Sequence, residues 1–141
     1  MKLKNIWIVV FAFILNIIWE YLHAHLYISE MLVTSYNYIL IRASIIDVLI
    51  ICFILMFISF KNKEVKWITG PKFMDYLFII IMGIFIAVII ELNALEKGKW
   101  MYKEAMPLIF GIGLSPLIQL AVTSILSLYL FRKLIIKKNL P

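Results

Sequence analysis

Residues 73–95 read FMDYLFIIIMGIFIAVIIELNAL, a long apolar run with acidic residues only near its two ends. About 20 apolar residues in a helix cross the hydrocarbon core of a bilayer. Comparable runs predict four spans, at residues 5–28, 38–60, 73–95 and 108–131. The chain of 141 residues is 65% hydrophobic, with a mean hydropathy of +1.02, too apolar for a soluble domain of this size. We therefore expect a single integral membrane domain over residues 1–141, an all-α four-helix transmembrane bundle.

The basic residues predict the orientation of these spans. Lys and Arg are enriched in the cytoplasmic loops of membrane proteins. Ten of them fall on the side of the two termini, against Lys97, Lys99 and Lys103 on the other side. The ten are Lys2, Lys4, Lys61, Lys63, Lys66, Lys72, Arg132, Lys133, Lys137 and Lys138. Both termini are thus predicted to be cytoplasmic, in a multi-pass protein of the cell's inner membrane.

The net charge of +6 follows from this distribution and does not indicate nucleic-acid binding. The basic residues lie at the ends of the apolar segments, where they meet anionic lipid headgroups. They form neither a helical stripe nor an RNA-binding motif. Membrane lipids are the partners that the composition predicts.

Four ionisable residues interrupt the predicted spans: Glu20 and His23 in the first, Asp47 in the second and Glu91 in the third. A charge at the bilayer centre costs at least about 2.5–3.5 kcal/mol on insertion scales, so such residues are usually buried partners or functional groups. A helical rise of about 1.5 Å per residue places all four between the midplane and the outer surface. They predict an outward-facing polar site within the membrane.

One face of the first helix is predicted to point into the bundle. Asn16, Glu20, His23 and Tyr27 are spaced i, i+4, i+7 and i+11, which places them on a single stripe. Such a stripe would be costly against lipid. Gln119 falls near mid-membrane in the fourth span and is expected to meet it.

The acids have a catalytic and a structural interpretation. A buried carboxyl can donate a proton to a double bond or a leaving group. Alternatively, Arg42 pairs with one acid or reaches the outer interface, while Asn16 and Gln119 hold the helices together by hydrogen bonds. Three acids against one intramembrane Arg leave a carboxyl unpaired or protonated, which favours function.

The spacing of Glu20 and His23, E-x-x-H, also suits two metal ligands on one helical face. Di-iron bundles need two such motifs and two further Glu residues. This chain has one motif, which Asp47 and Glu91 could complete only for a single ion. We predict no metal and no other cofactor.

Small and aromatic residues predict packing and anchoring. Gly111, Gly113 and Ser115 offer a small-residue face in the fourth span, and Pro116 predicts a kink there. The loop over residues 96–107 is expected to fold across the outer mouth. Aromatic residues at segment ends are typical of interfacial anchors. These are Tyr36, Tyr38, Trp67 and Tyr102, together with Trp100, for which packing at the mouth is expected instead.

A string of motifs covers nearly the whole chain. It comprises Asn16-x-x-Trp19-Glu20, Leu26-Tyr27, Asp47, Glu91, Gly98-x-Trp100-x-Tyr102-x-x-x-Met106-Pro107, Gly111, Gly113 and Pro116-x-x-Gln119. This string resembles an uncharacterised family of small four-span bacterial membrane proteins. The resemblance implies the fold but no activity. In that family the place of His23 is often Gln, which argues against a metal.

A second likeness covers only Glu91 to Gln119. An acid, then Gly-x-Trp-x-Tyr, an apolar run and a Pro are similar to part of the small membrane lycopene cyclases. Those enzymes place paired Glu residues after the Pro, where this chain has Leu117, Ile118 and Gln119. What the likeness implies is a set of acids that face a long apolar substrate.

The leading hypothesis is an intramembrane enzyme or binding protein for a lipid or isoprenoid. Glu20, Asp47 and Glu91 are the candidate catalytic residues. The candidate substrate-binding residues are Asn16, Trp19, His23, Arg42, Trp100, Tyr102 and Gln119. One alternative is a proton- or ion-coupled transporter subunit, which predicts an oligomer because four short helices enclose little pore. Another is a non-catalytic membrane assembly partner, which a lipid-facing Glu20 would favour.

Overall fold

Four long α-helices make up most of the computed structural model, which describes residues 5–28, 33–63 and 65–136. They are α1 (Ile6–His23), α2 (Val33–Lys61), α3 (Phe73–Glu96) and α4 (Leu114–Phe131). Each lies in a segment long and apolar enough to cross a membrane. The predicted all-α, four-helix transmembrane bundle is confirmed.

Helix α4 forms the centre of the bundle and is the most buried of the four. It packs against α1 and α3, and α1 also packs against α2. Fully buried apolar side chains fill the interior, among them Ile51, Ile54, Ile58, Leu128 and Phe131. The outward faces carry large apolar side chains such as Leu22, which is 67% exposed. Such faces suit contact with lipid, because the backbone polar groups are satisfied within the helices.

Two short antiparallel sheets lie at the end of the bundle where α1 and α3 finish and α4 begins, here termed the strand end. A 3₁₀ turn, Ala24–Leu26, follows α1 and leads into β1 (Tyr27–Ile28). Strand β1 pairs with β2 (Met101–Tyr102), so Tyr27 lies opposite Tyr102. Strand β3 (Leu108–Ile109) pairs with β4 (Ile112–Gly113). We call the opposite end, where α1 begins and α4 finishes, the terminal end.

The fourth helix begins later than predicted. Residues 108–113 form β3 and β4, and α4 starts only at Leu114. Phe110 and Gly111, between the strands, have φ angles of 51° and 81°, as the two central residues of a type I′ turn do. Gly111 and Gly113 therefore lie outside the helix, and the small-residue helix face predicted from them is wrong. Helix α2, in contrast, begins at Val33, five residues before the predicted span.

Pro116 does not kink the fourth helix. It is the third residue of α4. The first N–H groups of a helix have no intrahelical partner, so a proline there removes no hydrogen bond. The predicted kink is wrong, and Pro116 belongs instead to the start of α4.

Close packing between α3 and α4 depends on Gly83. A Cβ added at Gly83 would lie 2.9 Å from the backbone nitrogen of Ala121. Small residues allow transmembrane helices to approach this closely. The contact fixes the position of α4, which carries Gln119, against α3.

At the terminal end the chain is held by side-chain hydrogen bonds. Trp67 is only 5% exposed and donates from Nε1 to Ser59 Oγ at 2.8 Å. It is therefore not the lipid-exposed anchor predicted, whereas Tyr38 is 67% exposed as an anchor should be. The buried carboxylate of Asp75 accepts from Asn62 Nδ2 at 3.0 Å, which ties α3 to the end of α2.

Candidate functional site

Gln119 joins two carboxyl groups that come from different helices. Its Nε2 donates to Glu20 Oε1 of α1 at 2.7 Å and to Asp47 Oδ2 of α2 at 2.7 Å. The same nitrogen lies 3.2 Å from Asn16 Oδ1. An amide group has two protons to donate, so three acceptors share two donors. Glu20 and Asp47 are consequently neighbours in the interior of the bundle.

The inward stripe predicted for α1 is confirmed. Asn16, Glu20 and His23 are all buried, on the same face as Ile8 and Ala12. Asn16 Nδ2 donates to the backbone oxygen of Ala12 at 2.8 Å. This bond fixes the side-chain amide, so that Oδ1 is the atom turned towards α4.

His23 extends the hydrogen-bond chain towards α4. Its Nε2 lies 3.2 Å from Glu20 Oε2, and its Nδ1 lies 2.9 Å from Ser115 Oγ. Both ring nitrogens therefore have a partner. Asp47, Gln119, Glu20, His23 and Ser115 form one connected chain.

Glu91 of α3 is bound by the segment that leads into β2. Its buried carboxylate accepts from Trp100 Nε1 at 3.1 Å and, through a short hydrogen bond, from the Tyr102 hydroxyl. Tyr102 is thus a ligand of Glu91 and not the interfacial anchor predicted. Burial, followed by the hydrogen bond to Glu91, raises the pKa of Tyr102.

Tyr27 joins the Glu91 group to the rest of the site. Its ring centroid lies 5.4 Å from that of His23, 6.2 Å from that of Trp100 and 5.4 Å from that of Tyr102. Burial raises the pKa of Tyr27, and the second largest cause is the negative charge of Glu91. Glu20 and Asp47 act on the same hydroxyl.

The three acids therefore converge around one tyrosine, as the sequence predicted. We call Glu20, Asp47 and Glu91 the carboxyl cluster. Tyr27 was placed on the inward stripe but not among the predicted site residues, although its spacing from Asn16 could have identified it. No sequence pattern marked Ser115 as a partner of His23.

Arg42 is not brought to the carboxyl cluster. Its side chain is exposed, and it makes no ion pair with any acid in the described part of the chain. Within residues 5–28, 33–63 and 65–136, the ion-pair contact of the cluster is that of His23 with Glu20. The structural ion pair with Arg42, one of the two interpretations of the sequence, does not form there. Because an uncompensated buried charge is costly, we expect the cluster to hold at least one proton.

The E-x-x-H pair does not assemble a metal site with the other acids. Among the described residues, no group of three His, Cys, Asp or Glu side chains is arranged to hold a metal ion. Both nitrogens of His23 are already hydrogen-bonded. The donor set of Glu20 and His23 is thus used within the protein.

An open cavity of about 250 Å³ lies beside the hydrogen-bond chain. It is lined by Trp19, Leu22, His23, Leu26 and Ser115. Because Leu22 is 67% exposed on the outer face of α1, the cavity opens towards the bilayer. We call it the lateral cavity. A larger cavity, of about 650 Å³, lies at the terminal end, with no carboxyl group among the residues that line it.

Comparison of the chain with protein-family models, with curated proteins and with solved structures gives no match. The chemistry of the site is therefore argued from its geometry. It comprises clustered carboxyl groups, a histidine that connects one of them to a hydroxyl, and an apolar opening to the membrane beside that hydroxyl.

Proposed function

We propose that this membrane protein binds a lipid or isoprenoid in the lateral cavity, and that the carboxyl cluster performs acid/base chemistry on it. We also propose that the strand end faces outward, with both termini cytoplasmic, in the inner membrane of a bacterial cell. Asn16 and Gln119 position the acids, and Trp100 and Tyr102 hold Glu91. Arg42 takes no part, because its side chain is exposed.

The observation that carries the proposal is the contact of Glu20 and Asp47 with one amide nitrogen, without a Lys or Arg counter-ion among the described residues. Acids kept only for structure are usually paired with a cation when buried. A pair of carboxyl groups without one is suited to hold and release a proton.

The hydrogen-bond chain connects this proton to the lateral cavity. Glu20 contacts one ring nitrogen of His23, and Ser115 contacts the other. Histidine can accept a proton at one nitrogen and release it from the other. Since His23 and Ser115 both line the cavity, a ligand there lies within reach of the chain.

Two other functions have less support. A transporter would need a polar route from the cluster to the terminal end, but Ile51, Ile54 and Leu128 are fully buried in that half of the bundle. An assembly partner would present its acids to lipid or to another protein, whereas Glu20 is only 9% exposed. These observations weigh against both alternatives without testing them directly.

The test combines lipid mass spectrometry with substitution of the acids. We expect the purified protein to retain an isoprenoid or acyl lipid. Cells that produce the wild-type protein should contain a lipid product that is absent with Glu20→Gln or Glu91→Gln, both of which should remain folded. Glu96→Gln, an exposed acid at the end of α3, is the matched control and should behave as wild type.

Two results would contradict the proposal. If Glu20→Gln and Glu91→Gln both lose the fold by thermal denaturation and gel filtration, the acids are structural. If both stay folded and the lipid profile of the cells does not change, the cluster has no acid/base role. A pH-dependent flux in liposomes would instead support the transporter.

A further inference from the structure

Trp19 carries a buried hydrogen-bond donor that the protein itself does not satisfy. Its Nε1 has no partner among the described residues, and the Trp19 side chain lines the lateral cavity. Buried polar groups are nearly always paired, and an unpaired one costs about 1–3 kcal/mol. The missing partner is then an acceptor atom of a bound molecule, and in a lipid that atom is oxygen.

The charges around the cavity restrict what bears this oxygen. Glu20 reaches the cavity wall through His23, and Asp47 lies beside Glu20 on Gln119. No Lys or Arg belongs to the residues that line the cavity. An anionic head such as a phosphate or diphosphate would meet carboxyl groups with no cation to balance it, which is unfavourable. A pure hydrocarbon would leave Trp19 Nε1 unpaired.

The size of the cavity indicates that only one end of the molecule enters it. Pockets that enclose a whole small ligand measure about 300–1,000 Å³, whereas this cavity measures about 250 Å³. Ile18 and Leu22, on the outer face of α1, are 50% and 67% exposed. They offer an apolar surface along which the rest of a chain can lie within the bilayer.

We propose that the lateral cavity takes the neutral, oxygen-bearing end of a long apolar chain, such as an alcohol, an aldehyde or a quinone. The ligand oxygen accepts from Trp19 Nε1, beside His23 and Ser115. This inference rests on the proposed function and names the substrate class of the same site. It excludes carotene-like hydrocarbons and polyprenyl phosphates as ligands of the cavity.

Three probes with the same isoprenoid chain test this inference: farnesol, farnesyl diphosphate and farnesene. Each competes with tritiated farnesol for the protein held in nanodiscs. We expect farnesol to bind, and the other two to compete at least tenfold more weakly. Trp19→Phe should weaken farnesol binding about two- to tenfold, the range for one lost hydrogen bond. Farnesene should be unaffected. Trp7→Phe, at a 45% exposed position of the same helix, is the matched control and should bind farnesol as wild type does.

A second variant addresses the case in which Trp19→Phe does not fold. Leu26→Trp fills the cavity and should abolish farnesol binding while the melting temperature stays near that of wild type. Persistent binding in this variant would overturn the inference. So would equal competition by farnesene or farnesyl diphosphate, an unchanged affinity in a folded Trp19→Phe, or no binding of any probe.

Failure of this inference is distinguishable from failure of the proposed function. If farnesene binds best while the lipid product still depends on Glu20 and Glu91, only the ligand class is wrong. If neither acid affects any lipid, the proposed function fails as well.

Discussion

At the scale of single residues, Gln119 has the largest number of partners in the site. Its amide nitrogen contacts Glu20, Asp47 and Asn16, and the Thr123 hydroxyl lies 3.3 Å from the same Asn16 oxygen. Lipid cannot replace these donors, since the bilayer core contains no water. Helices α1, α2 and α4 are therefore joined by polar bonds at one depth.

We predict that Gln119→Leu destabilises the protein. The substitution leaves Glu20 and Asp47 next to each other without their shared donor, at a cost of about 1–3 kcal/mol for an unsatisfied buried group. Thermal denaturation in detergent measures the change. Leu126→Ala, at a 41% exposed position of the same helix, is the control and should shift the melting temperature less. A Gln119→Leu protein as stable as wild type would mean that the contacts do not hold the helices together.

Tyr27 predicts an alkaline limit to stability. Burial and the charge of Glu91 raise its pKa above the ordinary value of 10.0, so the phenol stays neutral in the folded protein after it would ionise in the unfolded chain. Below about pH 10 Tyr27 adds no pH dependence. Above it, the unfolded state binds fewer protons, and the free energy of unfolding falls by up to about 1.4 kcal/mol per pH unit.

Melting temperatures measured from about pH 8 to pH 11 check this prediction. Tyr27→Phe should flatten the alkaline decline, though not abolish it, because the pKa of Tyr102 is raised as well. Tyr38→Phe, which changes a 67% exposed side chain, should keep the wild-type slope. An identical decline in Tyr27→Phe would show that this hydroxyl is not responsible.

At the scale of secondary-structure elements, two features place the acids. The pairing of β1 with β2 brings the Glu91 donors of the β2 segment over Tyr27. The contact of Gly83 with Ala121 sets the distance between α3 and α4. One feature fixes the end of the bundle, and the other fixes the packing of its central helix.

We predict that Gly83→Ala lowers stability although alanine favours helices by about 1 kcal/mol. The added Cβ would lie 2.9 Å from a backbone nitrogen of α4, and overpacking of this kind typically costs about 1–3 kcal/mol. Thermal denaturation in detergent gives the measurement. Gly70→Ala makes the same chemical change where no atom lies within 4 Å, and should have little effect. If Gly83→Ala melts at a higher temperature than wild type, α3 and α4 can separate at no cost.

At the scale of the whole molecule, the two ends differ in chemistry. The strand end holds the carboxyl cluster and the aromatic groups around it, whereas Lys61, Lys63, Lys72 and Arg132 lie at the terminal end. Basic residues favour the cytoplasmic side. The lateral cavity would then open to the outer leaflet.

Cysteine labelling checks this orientation in a Cys52→Ala background, which removes the one natural cysteine. Phe110→Cys lies at the tip of the β3–β4 turn, where the native side chain is fully exposed. A membrane-impermeant maleimide should label it in whole cells. Lys63→Cys, at the terminal end, should be labelled only after lysis, and the reverse result would invert the proposed topology.

The candidate site could be predicted from the sequence only in part. The facing of Glu20 and His23 followed from helical spacing, because one helix is a rigid local object whose faces can be counted. The role of Tyr102 could not be predicted, because it depends on a strand that pairs with residues far away in sequence. The start of α4 was also missed, since an apolar run does not distinguish a two-residue turn from the first turn of a helix.

The sequence by itself determined that the chain forms four membrane-crossing helices, because length and hydropathy are properties of each segment alone. It also determined which polar residues had to be buried, since lipid tolerates none of them cheaply. Only the tertiary structure decided that Gln119, and not Arg42, meets the acids. That choice depends on the rotation and spacing of neighbouring helices, which follow from contacts such as Gly83 with Ala121 and not from any one segment.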